Sequence, residues 1–451
     1  MNARKSNVFF SRENRLVADY GKGVYLYDTD GKQYLDAIGS THVNTIGHGV
    51  PEIAQVMTTQ AMKLSFVHKE QFTTEAQEKL AKCVTNMAPD GMNRVSFVTG
   101  GSVANEMALQ IARFYHLAKG NESKYKVIGR WHSYHGRTIG ALSMSGSLFV
   151  RRGDMAPYDL NFPHIQAPHC YQCPFNLTHP NCGLVCATEL ARTIEQEGAE
   201  TIAAFIAEPI IGGAGSAIVP PIGYYEKIRE ICDTYDILFI SEEVITGFGR
   251  TGKNFGIQHW NATPDIITAT KALSSGYAPI GAVIVHDKVW DTFVETKQMN
   301  VPAWVTYSGH PISCAVALAV QDYVVKHDLI NQCVQRGDYL RQALLKLAER
   351  EPLIGDVRGK GLLLGLEFVQ NKTTHQPYSR SMKLTEQIIQ TALKGGLILR
   401  GRFGTGVQKD GDHILLSPPL IISESECDEL VAKLETTIKR VKETTELTKH
   451  D

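Results

Sequence analysis

Residues 264–285 read "PDIITATKALSSGYAPIGAVIV". Two short apolar runs, 265–270 and 280–285, have the length and composition of buried strands. Lys271 follows the first run directly, ahead of a turn at Gly276. Because an ammonium group is costly to bury, either Lys271 points to water at a strand end, as most lysines do, or the site uses its amine. The rest of the chain has to decide between these interpretations.

Outward from this stretch, apolar runs alternate with helical patterns from about residue 73. Residues 75–88 and 102–118 predict helices, and further strands are predicted at 94–100, 125–130, 201–209 and 236–244. This alternation is typical of an α/β fold with a mostly parallel, doubly wound sheet covered by helices on both faces. Ligands of such sheets bind beyond the carboxyl ends of the strands, and Lys271 lies at one of these ends.

The two ends of the chain predict a second, smaller α/β domain. Residues 21–39 alternate apolar and polar side chains around the turn Asp30-Gly31, as a hairpin does. After about residue 320, helices near 316–326, 330–350, 381–394 and 423–443 enclose strands at 361–369, 396–400 and 413–420. We therefore predict a large domain at 66–325, and a small domain built from segments 1–65 and 326–451.

Composition limits the classes of partner. The chain has 451 residues, 43% of them hydrophobic and 21% charged, with a formal net charge of -1. Nucleic acids and membrane surfaces call for clustered Lys and Arg, which this sequence lacks. The N-terminus shows no long apolar segment of the kind found in signal peptides, so we expect a cytoplasmic protein that binds small molecules.

Four of the nine cysteines lie close together in residues 169–186, "HCYQCPFNLTHPNCGLVC". Cys170, Cys173, Cys182 and Cys186 are numerous enough for a structural zinc site. The second pair is spaced CxxxC and the intervening loop is short, so reduced thiols in a surface insert are favoured. We predict no metal, and a scaffold organised by this cluster is the non-catalytic alternative.

Two predicted strand ends carry groups suited to an anionic, planar ligand. Gly101 and Ser102 open a helix after strand 94–100, and a helix N-terminus offers unpaired N-H groups to a phosphate. The same residues also fit an ordinary helix cap. After strand 125–130, one loop carries Tyr134, His135 and Arg137, which suit a flat ring and a carboxylate but also fit a surface turn.

A third strand end adds an acid, because Glu242 and Glu243 end strand 236–244 and point to opposite sides. An amine, a phosphate cradle, an aromatic face and a carboxylate are together the groups that pyridoxal 5'-phosphate (PLP) requires. This constellation favours a functional role for Lys271.

The sequence resembles the class III (omega) aminotransferases of PLP fold type I, from about residue 10 to about 440. Five segments carry the resemblance. Two of them are the phosphate loop, "TGGSVANEMALQIAR" (99–113), and the ring-stacking loop, "SYHGRTIGALS" (133–143). The others are the acidic strand end, "EEVITGFGRTG" (242–252), the lysine segment, "PDIITATKALSSGYAPIGAVIV" (264–285), and a segment that reaches the neighbouring subunit, "TYSGHPISCA" (306–315). The resemblance implies an omega-transaminase that works as a homodimer or a dimer of dimers.

The resemblance also implies a role for individual residues. Lys271 would bind PLP as a Schiff base and then move the proton between the substrate and the cofactor. Gly101, Ser102 and, across the dimer interface, Thr306 would bind the phosphate. The other residues implied to contact the cofactor are Tyr134 and Val244 on the two ring faces, His135 beside them, and Glu242 at the pyridine nitrogen. Glu208, in "AEP", matches an acid near the site that braces loops or assists catalysis.

Two departures from the family pattern bear on chemistry and substrate. Glu242 stands where the family has aspartate, so the charge is kept on a side chain one methylene longer. Relatives that use 2-oxoglutarate carry a glutamate and an arginine where this chain has Gly213 and Leu415, which favours a monocarboxylate acceptor such as pyruvate.

Five positions are candidates for contacting the substrate: Arg137, Arg400, Arg402, Thr41 and His42. The arginines would bind its carboxylate, and the choice among them stays open at this point. Thr41 and His42 stand where some amine transaminases place a tryptophan, which predicts a roomier or more polar pocket. The resemblance implies the omega-amino acid or amine:pyruvate subgroup, and a racemase, epimerase or lyase of the same fold is the alternative.

Overall fold

A computed structural model describes residues 16–147, 157–298, 305–404 and 410–444. Residues 1–15, which we expected to lack a signal segment, and residues 405–409, within the insertion that follows Arg402, lie outside the described residues. Within the described ranges, no helix is both long and apolar enough to cross a membrane.

The strands and helices follow the predicted alternation. The strands, numbered β1 to β15 in chain order, are Ala18–Lys22, Tyr25–Asp28, Gln33–Asp36, Arg94–Val98, Lys126–Arg130, His164–Ile165, Ile202–Ala207, Leu238–Glu242, Ile266–Ala269, Gly281–Val285, Ile354–Lys360, Leu363–Phe368, Leu397–Ile398, Arg400–Phe403 and Asp412–Leu416. The regular helices are Pro51–Lys63, Glu75–Met87, Gly101–Ala118, Ile139–Met144, Val185–Glu197, Tyr224–Thr234, Asp287–Glu295, Pro311–Lys326, Leu329–Arg350, Leu384–Lys394 and Glu424–Thr444.

The central sheet has seven strands in the order β4-β10-β9-β8-β7-β5-β6. β6, β5, β7, β8 and β9 run parallel, whereas β10 lies antiparallel between β4 and β9. The predicted mostly parallel sheet is therefore confirmed. The reversal at β10 has a simple cause, because the link 270–280 contains no crossover helix, which a parallel return needs.

Helices cover both faces of this sheet. All six residues of β7 are buried, as expected for a strand with no solvent-facing side. Phe205 and Phe239 enter the hydrophobic cluster that contains Leu80, whereas Ile206 and Leu238 enter the opposite cluster. Successive side chains of a strand point to opposite faces, so the two clusters are the two cores of a doubly wound fold.

Strands from both ends of the chain form the remaining sheets. Their orders are β1-β2-β3-β13 and β11-β12-β15-β14, and β13 pairs with β3 in parallel, with Leu397 opposite Leu35. Val24 near the N-terminus and Leu430 near the C-terminus share one hydrophobic cluster. This arrangement agrees with a smaller α/β part made from both termini, and the domain limits at 65 and 325 stay a prediction.

Candidate active site

Lys271 begins one turn of 3-10 helix, Lys271–Leu273, at the carboxyl end of β9. Its φ of +46° lies in the left-handed region, which is unfavourable for a residue with a side chain. The turn is held by Gln321, whose Nε2 donates to the main-chain oxygens of Ala272 at 3.1 Å and Leu273 at 2.8 Å. Packing therefore holds the lysine in a strained conformation at the sheet edge where ligands bind.

A cavity of about 450 Å³, the first cavity, lies at this edge of the sheet. With one exception, the residues predicted to bind the cofactor line it: Gly101, Ser102, Tyr134, His135, Glu242, Val244 and Lys271. The exception is Thr306, which lies exposed in a turn and lines neither this cavity nor the one described below. Its predicted contact is with the neighbouring subunit's cofactor, and that role stays a prediction.

One wall of the first cavity is the start of helix Gly101–Ala118. The helix has no capping side chain and no acid in its first turn, so its first N-H groups are available to an anion. A Cβ added to Gly100 would meet no atom within 4 Å, whereas one added to Gly101 would lie 3.3 Å from Val244 Cγ2. A side chain at position 101 would therefore crowd Val244, which lines the same cavity.

Glu242 is buried, and two donors orient its carboxylate. Its Oε1 accepts the N-H of Val244 at 2.7 Å, and its Oε2 lies 3.2 Å from Nδ1 of His135. Burial raises the pKa of Glu242. Burial also lowers the pKa of Lys271, and the nearby Glu242 carboxylate partly opposes this lowering. Both shifts make the neutral fraction of the Lys271 amine larger than in an exposed lysine, whose pKa is 10.5.

Glu208 acts as a brace between loops. Its Oε1 accepts the N-H of Tyr134 at 3.1 Å, and its Oε2 accepts the N-H of Gly212 at 2.8 Å. It lines neither cavity. Of the two roles considered for this acid, the contacts support bracing, which fixes the ring-stacking loop.

Three buried residues support the site: Arg130 and Asn105, which the sequence analysis did not single out, and Glu243, for which it predicted only a direction opposite to Glu242. Arg130 donates from Nη2 to the main-chain oxygen of Glu208 at 2.5 Å. Asn105 donates to the main-chain oxygen of His135 at 2.6 Å and accepts from Thr268 Oγ1 at 2.7 Å. Glu243 accepts the N-H groups of Gly256 and Ile257, each at 2.8 Å. Arg130 and Asn105 are polar residues inside otherwise apolar, periodic segments, and this pattern is the sequence signal that could have identified them.

A second cavity, of about 300 Å³, shares Lys271 and Tyr134 with the first. It brings together all five predicted substrate residues, together with other groups: its lining is Thr41, His42, Tyr134, Arg137, Ser147, Gly213, Ala214, Ile245, Lys271, Arg400 and Arg402. No carboxylate is among these described lining residues. The second cavity therefore suits an anionic substrate group close to the amine of Lys271.

The arginines of this cavity differ in their surroundings. Arg400 and Arg402 are two residues apart on β14 and so share a strand face. The guanidinium groups of Arg400 and Arg137 have no hydrogen bond or ion pair within the described part of the chain, whereas Arg402 contacts other groups, including the oxygen of Gly401 at 3.3 Å. Leu415, which stands where relatives that use 2-oxoglutarate carry an arginine, lies directly opposite Arg400 across the β14–β15 pair. This chain therefore has an arginine on the strand next to that position.

The cysteine segment shows no metal geometry. All of the cysteines are free, and within the described ranges no three His, Cys, Asp or Glu side chains are placed to hold a metal ion. Burial, followed by the thiols of Cys170, Cys182 and Cys173, raises the pKa of Cys186 to about 12. That these cysteines are reduced thiols in a surface insert stays a prediction.

Residues 9–438 match the family "Aminotransferase class-III". The chain is 40% identical over 425 residues to the uncharacterized aminotransferase YodT of Bacillus subtilis, which covers 94% of this chain and 95% of that protein. It is 37% identical to the putrescine–pyruvate aminotransferase of Pseudomonas aeruginosa, over 91% of this chain and 87% of that protein. The crystal structure of an (S)-enantioselective omega-transaminase from Thermomicrobium roseum matches with a TM-score of 0.89 and 36% identity, over 97% and 96% of the two chains.

The chain therefore belongs to the class III aminotransferase family and is an enzyme of the transaminase type. This confirms the predicted family and fold. It also decides for transamination against the racemase, epimerase or lyase alternative, and against a non-catalytic scaffold.

Proposed function

We propose that this transaminase uses PLP to move the amino group of an omega-amino acid or primary amine to pyruvate. The observation that carries the proposal is the convergence of Lys271, Glu242 and the start of helix Gly101–Ala118 on one cavity. An amine, a carboxylate and an anion site within about 450 Å³ match the reactive aldehyde, the pyridine nitrogen and the phosphate of this cofactor.

The residues present fit the cofactor. Gly101 and Ser102 would bind the phosphate through the free N-H groups of the helix start. Tyr134 and Val244 both line the first cavity, and we assign one to each face of the ring. Glu242 would pair with the pyridine nitrogen, because two donors already fix its carboxylate while lone pairs remain on both oxygens.

When bound, PLP supplies an electron sink for the carbon that carries the amino group. Lys271 would hold the cofactor covalently and, once released by the substrate amine, would move a proton at its Nζ atom. Burial favours the neutral form of this amine, which is the form that acts as nucleophile and base. Gln321 holds the main chain of the turn from which the Lys271 side chain extends.

The second cavity would bind the substrates of both half-reactions, because the donor and the acceptor use the same lysine in turn. Arg400 and Arg137 are free to bind a carboxylate in two-point contacts. Pyruvate is supported by Leu415, which stands where relatives that use 2-oxoglutarate carry an arginine, and by the name of the Pseudomonas aeruginosa relative. Two free guanidinium groups also favour the dicarboxylate 2-oxoglutarate, which makes it the second candidate acceptor.

We further propose that two copies of the chain complete the site. Thr306 lies beside an exposed aromatic group, in which Phe66 and Tyr307 pack with ring centroids 5.8 Å apart and are 40% and 60% exposed. Exposed apolar surface of this kind is typical of an interface. Light scattering after size exclusion measures whether the protein is at least a dimer.

The cytoplasmic location of the protein stays a prediction.

Borohydride reduction tests the central assignment. The reduced protein is digested and its peptides are examined for a pyridoxyl group, which we expect on Lys271. The acceptor is identified by incubating the PLP-loaded enzyme with a panel of amines and either pyruvate or 2-oxoglutarate, and measuring alanine or glutamate. A label on another lysine would overturn the cofactor assignment, and glutamate formed far faster than alanine would overturn pyruvate.

A further inference from the structure

Residues 211–218, the cavity loop, bring Gly213 to the wall of the second cavity. The loop closes on itself, because the main-chain groups of Ile211 and Ile218 exchange hydrogen bonds of 3.0 and 3.1 Å. A Cβ added to Gly213 would lie 4.0 Å from Nη2 of Arg400. The tip of the loop therefore faces, with little space between them, the arginine proposed to bind the substrate carboxylate.

The cavity loop contains a strained bend. Ser216 and Ala217 have φ angles of +49° and +60°, a region unfavourable for residues with side chains. Such a bend persists only where its surroundings hold it. Ala217 packs in a small apolar cluster with Leu363, and the hydroxyl of Ser216 lies 2.5 Å from Nδ1 of His413. Both contacts are made by side chains, and neither holds the main-chain oxygens of the bend.

Arg358, on β11, holds these oxygens. Its Nη2 donates to the main-chain oxygen of Gly215 and its Nε to that of Ser216, each at 2.9 Å. Its Nη1 donates to Oε2 of Glu367 at 2.6 Å and to Oδ2 of Asp356 at 2.9 Å. The side chain of Arg358 is 9% exposed and that of Glu367 is 0% exposed. The two acids therefore orient a largely buried guanidinium group, and this group fixes the bend of the loop.

The loop is held against the sheet that also carries Arg400. Arg358 lies on β11, Gly365 on β12 and Arg400 on β14 of the same four-stranded sheet. A Cβ added to Gly365 would lie 1.9 Å from the main-chain oxygen of Ser216, so only glycine allows the loop to approach β12 this closely. A shift of the loop against this sheet would change the space beside Arg400.

We propose that Arg358 is a positioning residue for the substrate carboxylate. By holding the main-chain oxygens of Gly215 and Ser216, it fixes the cavity loop relative to Arg400 and so sets the space in which the carboxylate contacts that arginine. Arg358 itself lines neither cavity, so it acts through the loop. This inference rests on the proposed function and adds to it a residue that lies behind the wall of the second cavity.

Arg358→Lys tests this role. The variant keeps a cation beside Glu367, but an ammonium lacks the planar fork that reaches two loop oxygens and the acids together. Each protein is loaded with pyridoxamine phosphate, the amino form of the cofactor, and cofactor absorbance follows its reaction with pyruvate or with butanal, which has no carboxylate. We expect the second-order rate constant for pyruvate to fall about tenfold in the variant, because a small misplacement of a positioning group is costly, and that for butanal to change less than about twofold.

Glu367→Gln provides a second, milder variant. It keeps the shape of the side chain that holds Nη1 of Arg358 and removes its charge, which weakens the hydrogen bond. The ratio of the pyruvate to the butanal rate constant should fall in the same direction as in Arg358→Lys, but by less. Far-UV circular dichroism and cofactor content show that each variant is folded and loaded.

Arg229→Lys is the matched control. Arg229 is 16% exposed, pairs with Asp233 and Asp265 at 2.8 Å each, and lines neither cavity. It should keep the wild-type ratio. Equal losses with pyruvate and butanal in Arg358→Lys, or no loss with pyruvate, would overturn the positioning role while leaving the proposed function intact. A loaded wild-type protein that reacts with neither pyruvate nor 2-oxoglutarate would overturn the proposed function and this inference with it.

Discussion

His135 and Glu242 share a buried hydrogen bond in which Nδ1 of the imidazole lies 3.2 Å from Oε2 of the carboxylate. The two residues are 2% and 3% exposed. Burial, partly opposed by Glu208, lowers the pKa of His135 to about 4, so a neutral imidazole donates its Nδ1 hydrogen. The longer acid at position 242 is therefore oriented by the protein before any ligand arrives.

Replacing Glu242 tests whether this carboxylate pairs with the cofactor. We expect Glu242→Gln to lower kcat by about 100-fold, because a hydrogen bond to a charged group is worth about 1.5–3 kcal/mol. Glu242→Asp keeps the charge and should lose less, about tenfold by the same scale. The measurement is the rate of alanine formation at saturating donor and pyruvate.

Cofactor content and far-UV circular dichroism should be unchanged in both variants, which separates loss of chemistry from loss of folding. Turnover by Glu242→Gln within about twofold of wild type would show that the acid makes no such pair.

The pH dependence of cofactor loading tests the environment of Lys271. Burial lowers the pKa of its ammonium, and only the neutral amine attacks the aldehyde. The rate at which the PLP-free enzyme takes up PLP should therefore rise with pH and level off below pH 10.5, the ordinary value for lysine. Glu242→Gln removes the charge that opposes this shift, so its profile should move to lower pH. A shift to higher pH would contradict the proposed coupling.

The central sheet was predictable because buried parallel strands are recognisable as short apolar runs. The run 201–209 became β7, whose residues are all buried, and the run 236–244 became β8. The direction of β10 was not predicted, since strand direction depends on how the link 270–280 closes and not on the composition of the strand. A one-dimensional pattern carries no information on strand direction.

The site was predictable where its residues follow strand ends, and much less so elsewhere. Lys271 and Glu242 end neighbouring parallel strands, so their meeting follows from topology. That Arg400 faces Leu415 depends on the β14–β15 register, which the sequence leaves open. The left-handed turn Gly39–His42 was hidden as well, because Ser40 and Thr41 carry no local signal for positive φ.

Arg400 is the arginine expected to bind the substrate carboxylate. It is partly buried and has no partner in the described part of the chain, and burial lowers its pKa. We expect Arg400→Leu to weaken the binding of the donor 4-aminobutanoate, so that its KM rises at least tenfold, as the loss of a charged hydrogen bond of about 1.5–3 kcal/mol predicts. Steady-state kinetics at fixed pyruvate measure this change.

Two comparisons sharpen that result. Arg402→Leu should have a smaller effect, because Arg402 already contacts other groups. A primary amine without a carboxylate should keep its KM in Arg400→Leu. If KM rose equally for both donors, Arg400 would be shaping the cavity and not binding the carboxylate.

His116 predicts a loss of stability in mild acid. Its side chain is 0% exposed, and its Nε2 lies 2.9 Å from the main-chain oxygen of Ala203. Burial lowers its pKa from 6.5 to about 4. Above pH 6.5 the ring is neutral in both states, so stability does not depend on it. As the pH falls from 6.5 towards 4, the unfolded chain binds a proton that the native state does not, and the free energy of unfolding decreases.

His116→Gln isolates this contribution, since a glutamine amide can donate to the oxygen of Ala203 but does not titrate. The shift in pKa corresponds to a loss on the order of 3 kcal/mol in the wild-type protein at the acid end of the range. The urea midpoint of the variant should therefore rise relative to that of the wild type as the pH falls from about 7 to 5, the range in which histidine usually titrates. His68→Gln, at an exposed position, is the control and should follow the wild-type profile. Parallel profiles for wild type and His116→Gln would mean that other groups set the acid sensitivity.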